Sequence, residues 1–252
     1  MEKKIIHFQE LAHNAWAAKD NVLFKGWILR FSEGVTRRAN SVLTLRYLGN
    51  DVESDVKNVE ELYTSRNLPT IFQIADHFEP KRLVEVLESQ SYEKQGETVV
   101  MTKSIKKRHE KELNTPLQYT TELEVQDDWF HSFAKLSLSS SEKVLGLKKI
   151  IGRITLGKII CYAKEGTDTL GTVLGIIDGD SIGIYNLIVH PERRRESIGE
   201  NIMLKIVNWS MKNNIHTMYL AVEKENEGAI ALYTKLGFKE KFGYRYFVKQ
   251  FN

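Results

Sequence analysis

The chain holds a single cysteine, Cys161, so no internal disulfide can form, and no CxxC or Cys/His cluster has the spacing of a zinc site. Proline is scarce, four in 252 residues, and the 16 glycines follow no period, which excludes a collagenous or low-complexity chain. No segment approaches the roughly 18 consecutive apolar residues of a membrane helix. The opening MEKKIIHFQELAHNAW is charged where a signal peptide would be apolar. An excess of one charge sign is missing too: 36 Lys and Arg against 33 Asp and Glu leave +3, too little to argue for nucleic acid. What remains reads as a protein of a reducing compartment, expected to be soluble and cytoplasmic, with no metal and no membrane partner. Its length suits one large domain or two small ones, with a core that needs no staple.

Hydrophobic spacing organises the chain. Phe8, Leu11, Ala12, Ala15 and Trp16 recur at helical intervals, as do Val52, Val56, Val59 and Leu62. GWILRFSEG and TRRANSVLTLRYL read as two strands around a Ser-Glu-Gly turn, TIFQIA and ETVVMTKSI as further strands, and Pro80 stands near the start of a helix. A polar, basic stretch, KSIKKRHEKELNTP, predicts a boundary that divides the chain into 1–112 and 113–252. No aromatic interleaves its charges, so Lys103–Lys111 reads as a solvated connector rather than a nucleic-acid patch. The second half opens on the alternation Leu117, Tyr119, Thr121, Leu123, Val125, followed by two helices. KIICYA, GTVLGIID and SIGIYNLIV are consecutive strands, with Asp178-Gly179 as hairpin turn. A long helix from about Ser197, the strand TMYLAV, the helix GAIALYTKL and the strand YRYFVKQF complete the chain. The order of LPTIFQI, EPKRLVEVLESQSY and ETVVMTKSI is repeated by IHTMYLAV, NEGAIALYTKLGF and YRYFVKQF, which suggests duplication.

Two stretches carry chemistry. In LIVHPERRRESIGENIM (187–203) a buried strand ends at Pro191 and a basic turn enters a helix. The first amides of a helix lack intrahelical acceptors and sit at the positive end of its dipole, a setting that suits a diphosphate. Arg194, Ser197 and Gly199 surround that start, and Gly199 permits close approach. In NEGAIALYTKLGF (226–238), Asn226 is placed to cap a helix on which Ala229, Leu232, Tyr233 and Leu236 repeat, and Gly237 closes it. Taken alone, the first reads equally as a plain helix cap and Tyr233 as core packing.

Together, the two stretches resemble the GNAT superfamily of acyl-CoA N-acyltransferases. R-R-E-S-I-G, Arg194 to Gly199, is similar to the family's R/Q-x-x-G-x-G/A. Asn226, Ala229, Leu232, Tyr233, Gly237 and Phe238 match N-x-x-A-x-x-L-Y-x-x-x-G-F. The resemblance covers about 145–252, and RFSEGVTRRANSV resembles a subgroup with a degenerate GNAT-like half ahead of the catalytic one. It implies a mixed α/β (α+β) fold, with a central, mostly antiparallel sheet flanked by helices in a pseudo-tandem of two halves: a degenerate lobe 1–112 and a catalytic domain 113–252. It implies acetyl-CoA as donor and a small-molecule or peptide amine as acceptor. Leu187, Ile188 and Val189 would pair with the pantetheine arm and stabilise the oxyanion. The amides of Arg195, Glu196, Ser197, Ile198, Gly199 and Glu200, with Arg194, would hold the pyrophosphate. Asn226 and Ala229 would border the cofactor, and Tyr233 would protonate the leaving thiolate as general acid.

This sequence departs from the family at several points. Ser197 and Arg195 stand where glycine is usual, and Asn186 where a carboxylate base is common. A base must then come from Glu223, His190 or a water chain. The first half lacks the phosphate turn: Asp51, Glu53 and Asp55 would repel a diphosphate, while Arg37, Arg38 and Asn40 are candidates to line an acceptor pocket. Cys161 reads as a core thiol. The leading expectation is an acetyl-CoA-dependent N-acetyltransferase, with a non-catalytic acyl-CoA-binding sensor as alternative and a nucleic-acid binder third. A homodimer is compatible with the sequence.

Overall fold

The computed structural model describes residues 2–106, 113 and 115–250. The expected boundary at 112 and most of the basic run (107–111) lie outside them. The chain forms two compact units, one of Met1–Val100, Val222–Glu227 and Lys241–Asn252, the other of Met101–Ala221 and Gly228–Glu240. The units are therefore not the two contiguous halves expected from the sequence. The reason is backbone pairing: the C-terminal strand ladders with a strand of the first half.

In the first unit, α1 (Glu2–Asn14) leads to the hairpin β1 (Asp20–Phe24) and β2 (Trp27–Phe31), then to a short β3 (Val42–Leu43). Next come α2 (Val52–Thr64), β4 (Thr70–Ala75), α3 (Leu83–Ser89) and β5 (Glu93–Ser104), and the last strand β11 (Lys239–Lys249) returns to this unit. The strand order is β1-β2-β3-β4-β11-β5. Tyr246 stands opposite Gln73 and Phe247 opposite Phe72. The sequence placed the hairpin turn at Ser32-Glu33-Gly34, whereas the chain turns at Lys25-Gly26, where both φ angles are positive (46° and 86°). At the expected turn, Asn40 Oδ1 accepts from the amides of Ser32 and Gly34, and Asn40 Nδ2 donates to Thr36 O. That bonding turns the start of the predicted second strand into a 3-10 turn, Arg37–Ala39, and Val42–Leu43 of it forms β3. Asn40 is buried, and its side-chain amide is spent on holding this turn.

Alternation gives this sheet two unlike faces. Trp27, Leu29, Phe31, Val42, Phe72, Ile74 and Phe247 form one core with Val56, Val59 and Tyr63 of α2 and Leu83, Val86 and Leu87 of α3. The opposite face carries Arg30, Gln73, Tyr244 and Tyr246, all buried. The N-terminus of α2 is closed by its own sequence: Asp51 accepts from Ser54 N at 3.1 Å, with Glu53 and Asp55 in the first turn. Asp55, 1% exposed, is held by Tyr47 Oη at 2.7 Å and Lys25 Nζ at 2.5 Å.

The second unit holds β6 (Gln118–Glu122), α4 (Asp127–Ser137), α5 (Ser141–Arg153), β7 (Gly157–Glu165), β8 (Asp168–Asp178), β9 (Ser181–Val189), α6 (Ile198–Lys212), β10 (Thr217–Glu223) and α7 (Glu227–Lys235). Its strand order is β10-β9-β8-β7-β6, antiparallel except for the parallel β9–β10 pair. The β8–β9 hairpin turns at Gly179-Asp180, with Gly179 at φ +60°. Ile159, Ile160, Leu174, Ile176 and Ile182 of the strands and Ile202, Met203 and Ile206 of α6 are all fully buried in the core of this unit. Cys161 lies in it fully buried, its thiol pushed up to about 12 by that burial, which makes it inert. No helix among the described residues is long and apolar enough to cross a membrane.

Asp51→Ala should cost about 1 kcal/mol of stability by removing the α2 cap, read as a lower urea midpoint at constant m. An unchanged midpoint would show that the cap contributes nothing.

Candidate functional site

The regularity of the second unit breaks in β9. Its ladder with β8 pairs Tyr185 with Leu174 and Ile188 with Thr172, so Asn186 and Leu187 together face Val173, a β-bulge. Asn186 takes φ +52°, which asparagine tolerates better than most residues, and its Nδ2 is buried without a hydrogen-bond partner among the described residues. On the other edge, the ladder with β10 runs from Ser181 to Ile184 and stops at Leu220. The two strands fork there, and Leu187, Ile188 and Val189, half-buried, leave an edge unpaired with β10. A buried cross-link steadies the opposite edge: Trp129 Nε1 donates to Thr172 Oγ1 at 3.0 Å, and Thr172 Oγ1 donates to Cys161 O at 3.0 Å.

After β9 the chain makes a 3-10 turn, Pro191–Arg193, in which His190 Nδ1 accepts from Glu192 N at 3.3 Å. His190 therefore closes a turn. Arg193 is tied down on two sides, to Glu165 at 3.0 Å and to Glu196 at 2.8 Å, and these carboxylates raise its pKa. Arg195 (φ +68°) and Ser197 (φ +58°) are both left-handed. Here lies the physical reason that glycine suits these two positions: each non-glycine residue in that region costs about 1 kcal/mol or more. Ser197 is the N-cap of α6, yet its side chain makes no cap bond. The first paired amide of the helix is Asn201 N, which donates to Ser197 O at 2.9 Å. The amides of Ile198, Gly199 and Glu200 are the orphan donors of the helix start.

The charges around this start divide unequally. Glu196 is occupied by Arg193, and Glu200 by Lys235 of α7 at 2.6 Å. Arg194 and Arg195 are exposed and have no pairing among the described residues. The entry to α6 is thus cationic, uncapped and lined by main-chain donors. Gly199 faces inward without being needed there: a Cβ would lie 3.5 Å from Leu232 Cδ2 and Val189 Cγ2, ordinary contact.

On α7, Tyr233 is 8% exposed and packs against Phe238 at 5.7 Å, while its hydroxyl has no hydrogen-bond partner among the described residues. Burial pushes its pKa up to about 12, so the hydroxyl stays protonated. Gly237, φ +86°, ends the helix as the sequence indicated. Ala229 lies on α7 and Asn226 immediately before it. Glu223 is the exposed last residue of β10, and its carbonyl accepts from Asn226 N at 2.9 Å. By contact, Glu223 and Asn226 group with the first unit and the other candidates with the second. Arg193, which anchors the loop, and the Lys235–Glu200 pair were not singled out in the sequence, because each depends on a carboxylate distant in the chain. The His, Cys, Asp and Glu groups close enough to share a cation among the described residues are Glu2, His77 and Glu79 in the first unit, none of them a candidate here.

Comparison with known proteins agrees with this geometry. The family described as "Probable histone acetyltransferase Rv0428c C-terminal" matches residues 3–247. An uncharacterized N-acetyltransferase of Bacillus subtilis, YobR, is 34% identical over 248 residues, 96% of this chain and 97% of that protein. In fold, a GCN5-related N-acetyltransferase from Kribbella flavida superposes with a TM-score of 0.73 at 9% identity, covering 100% of this chain and 96% of its own. A tandem GNAT protein from the clavulanic acid biosynthesis pathway gives 0.72 at 9% identity, covering 96% and 87%.

Gly199→Ala should leave the fold intact and raise thermal stability slightly, since alanine is favoured in helices by up to about 1 kcal/mol. A large fall in melting temperature would show that Gly199 serves packing instead.

Proposed function

Because this chain belongs to the GNAT superfamily of N-acetyltransferases, we propose that it moves an acetyl group from acetyl-CoA to a primary amine by direct attack. The observation that carries this reading is the uncapped, left-handed entry to α6, with three orphan amides and two unpaired arginines. Acetyl-CoA supplies an activated thioester. The main-chain donors from Arg195 to Glu200 bind its diphosphate, Arg194 and Arg195 add charge, and Gly199 leaves space for close approach. Asn226 and Ala229 border the same ligand.

The open edge of Leu187, Ile188 and Val189 pairs with the pantetheine arm. From there, N–H groups stabilise the oxyanion, a donor type worth a few kcal/mol when preorganised. The fork keeps these amides from being spent on β10. Tyr233 Oη gives a hydrogen bond, then its proton, to the departing sulfur. A pKa near 12 keeps that proton in place across the working range, at the cost of driving force toward a thiolate of ordinary pKa, about 8.5. Asn186 holds no exchangeable acid–base proton at neutral pH, so it offers hydrogen bonds at the bulge, and Glu223 takes the base role. The acceptor class is a small-molecule or peptide amine. The first unit is a GNAT-like half that binds no CoA, because Asp51 fills its helix start and Glu53 and Asp55 oppose an anion. Family membership favours an enzyme over a non-catalytic acyl-CoA sensor.

Calorimetry should register acetyl-CoA binding, weakened about tenfold or more in Gly199→Ala. Absence of heat with the native chain at millimolar ligand overturns the site. In an amine panel followed by CoA release, Tyr233→Phe should lower kcat by up to ~10²–10⁴-fold with CoA affinity retained. With a pKa of about 12, the pH profile should show no alkaline loss from Tyr233 until about one unit below that value. Turnover at blank level across the panel, with binding intact, would favour the sensor.

A further inference from the structure

The fold leaves one buried donor unused at the fork of β9 and β10. Asn186 takes φ +52°, and its Nδ2 is buried without a hydrogen-bond partner among the described residues. Both features cost free energy. A left-handed φ is cheapest for glycine, and a buried N–H that bonds nothing has lost its water without compensation. Glycine would remove both costs at once, so the amide nitrogen adds nothing to the fold. Tyr119 Oη and Ser210 Oγ are also buried and unpartnered in this unit, but they stand on β6 and α6, not on the forked strands.

The position of Asn186 along β9 gives that nitrogen a use. The last pair of β9 with β10 is Ile184 with Leu220, so Asn186 lies just past the fork and just before the open edge Leu187–Val189. The inference rests on the acetyl-transfer reading, in which the diphosphate sits at the entry to α6 and the pantetheine arm runs back along that edge. Strand residues advance about 3.3 Å each, so the thioester end of the arm comes to the bulge, where the amine must meet it. Main-chain N–H groups of the edge serve the acetyl oxygen, which leaves the Asn186 amide for the other reactant. An amide NH2 is donor only. It binds an oxygen and opposes an ammonium.

We propose that Asn186 Nδ2 selects the acceptor: a primary amine with a carbonyl group on the adjacent carbon, as in an α-amino amide or a peptide N-terminus, in preference to an alkyl amine or a polyamine. The neutral amine forms a C–N bond to the acetyl carbon and the C–S bond breaks. The nitrogen gives up one proton as the sulfur takes one, so an amide and free CoA replace the amine and the thioester. The acceptor's own carbonyl takes no part in that exchange; it accepts from Nδ2 and fixes the attacking nitrogen. Asn186 is thus a specificity residue.

The test compares glycinamide with isobutylamine, which carries two methyl groups in place of the amide oxygen and nitrogen, by CoA release at saturating acetyl-CoA. Asn186→Gly removes the donor and suits the left-handed backbone, so folding is not at risk. Asn186→Asp keeps the shape but puts a charged acceptor where the donor was. Each variant is judged by its ratio of kcat/KM for the two amines against the native ratio, which cancels their different basicities. The ratio should fall about tenfold or more in both variants, with the acetyl-CoA Kd changed less than about twofold. Putrescine should gain in Asn186→Asp. Calorimetry on the CoA-loaded chain should register glycinamide with the native protein and no heat with Asn186→Gly. Triglycine distinguishes the sources: a higher kcat/KM than glycinamide assigns a peptide N-terminus, a lower one the free amide. An unchanged ratio in Asn186→Gly, or equal loss with both amines, overturns the proposal and leaves the acetyl-transfer reading standing. Blank turnover with every amine while acetyl-CoA binds overturns both.

Discussion

A β-strand has two edges, and every buried N–H and C=O on them must find a partner. In β9 the edge toward β8 is paired to the end, through Thr172–Ile188 and Gly171–Val189, while the edge toward β10 is paired only to Ile184. The rest of the site depends on this imbalance. The bulge at Asn186 and Leu187 turns the strand, the fork leaves main-chain groups open, and the chain then runs straight into the uncapped start of α6. Trp129 and Thr172 hold the paired edge so that the open one keeps its position. In the proposed function, a ligand that brings both carbonyls and phosphates would complete the hydrogen bonding that the protein leaves undone.

The loop before α6 stores strain and is held against it. Arg195 and Ser197 occupy conformations in which a Cβ is unwelcome, and Arg193 clamps the loop through Glu165 and Glu196. Those exposed pairs are individually weak, but they constrain a loop with few other choices. Neutralising Glu196 and Glu200 internally also leaves Arg194 and Arg195 as the uncompensated charges of the turn.

The first unit repeats the order helix, strand, helix, strand and puts it to other use. Its α2 start is closed by Asp51 and flanked by acids, so no anion is invited there. Its polar charge sits instead on a sheet face, where Arg30 is buried among tyrosines and amide groups.

Much of this was legible locally. The spacing of Val52, Val56 and Val59, the TIFQIA strand, the hairpin at Gly179 (one residue later than the Asp178-Gly179 turn expected), the break after Val189, and Gly237 at the end of α7 follow from side-chain periodicity and turn chemistry, which act over a few residues. The turn that enters α6 and the place of Tyr233 on α7 were legible for the same reason. What only the tertiary structure decided has a long reach in the chain: β11 pairing with β4, Asn40 folding the 32–36 loop onto itself, Arg193 reaching Glu165, and the end of the β9–β10 ladder at Leu220. The composition alone already left room for a packed core that needs no staple. Which backbone groups stay unpaired depends on partners that only a folded chain brings together.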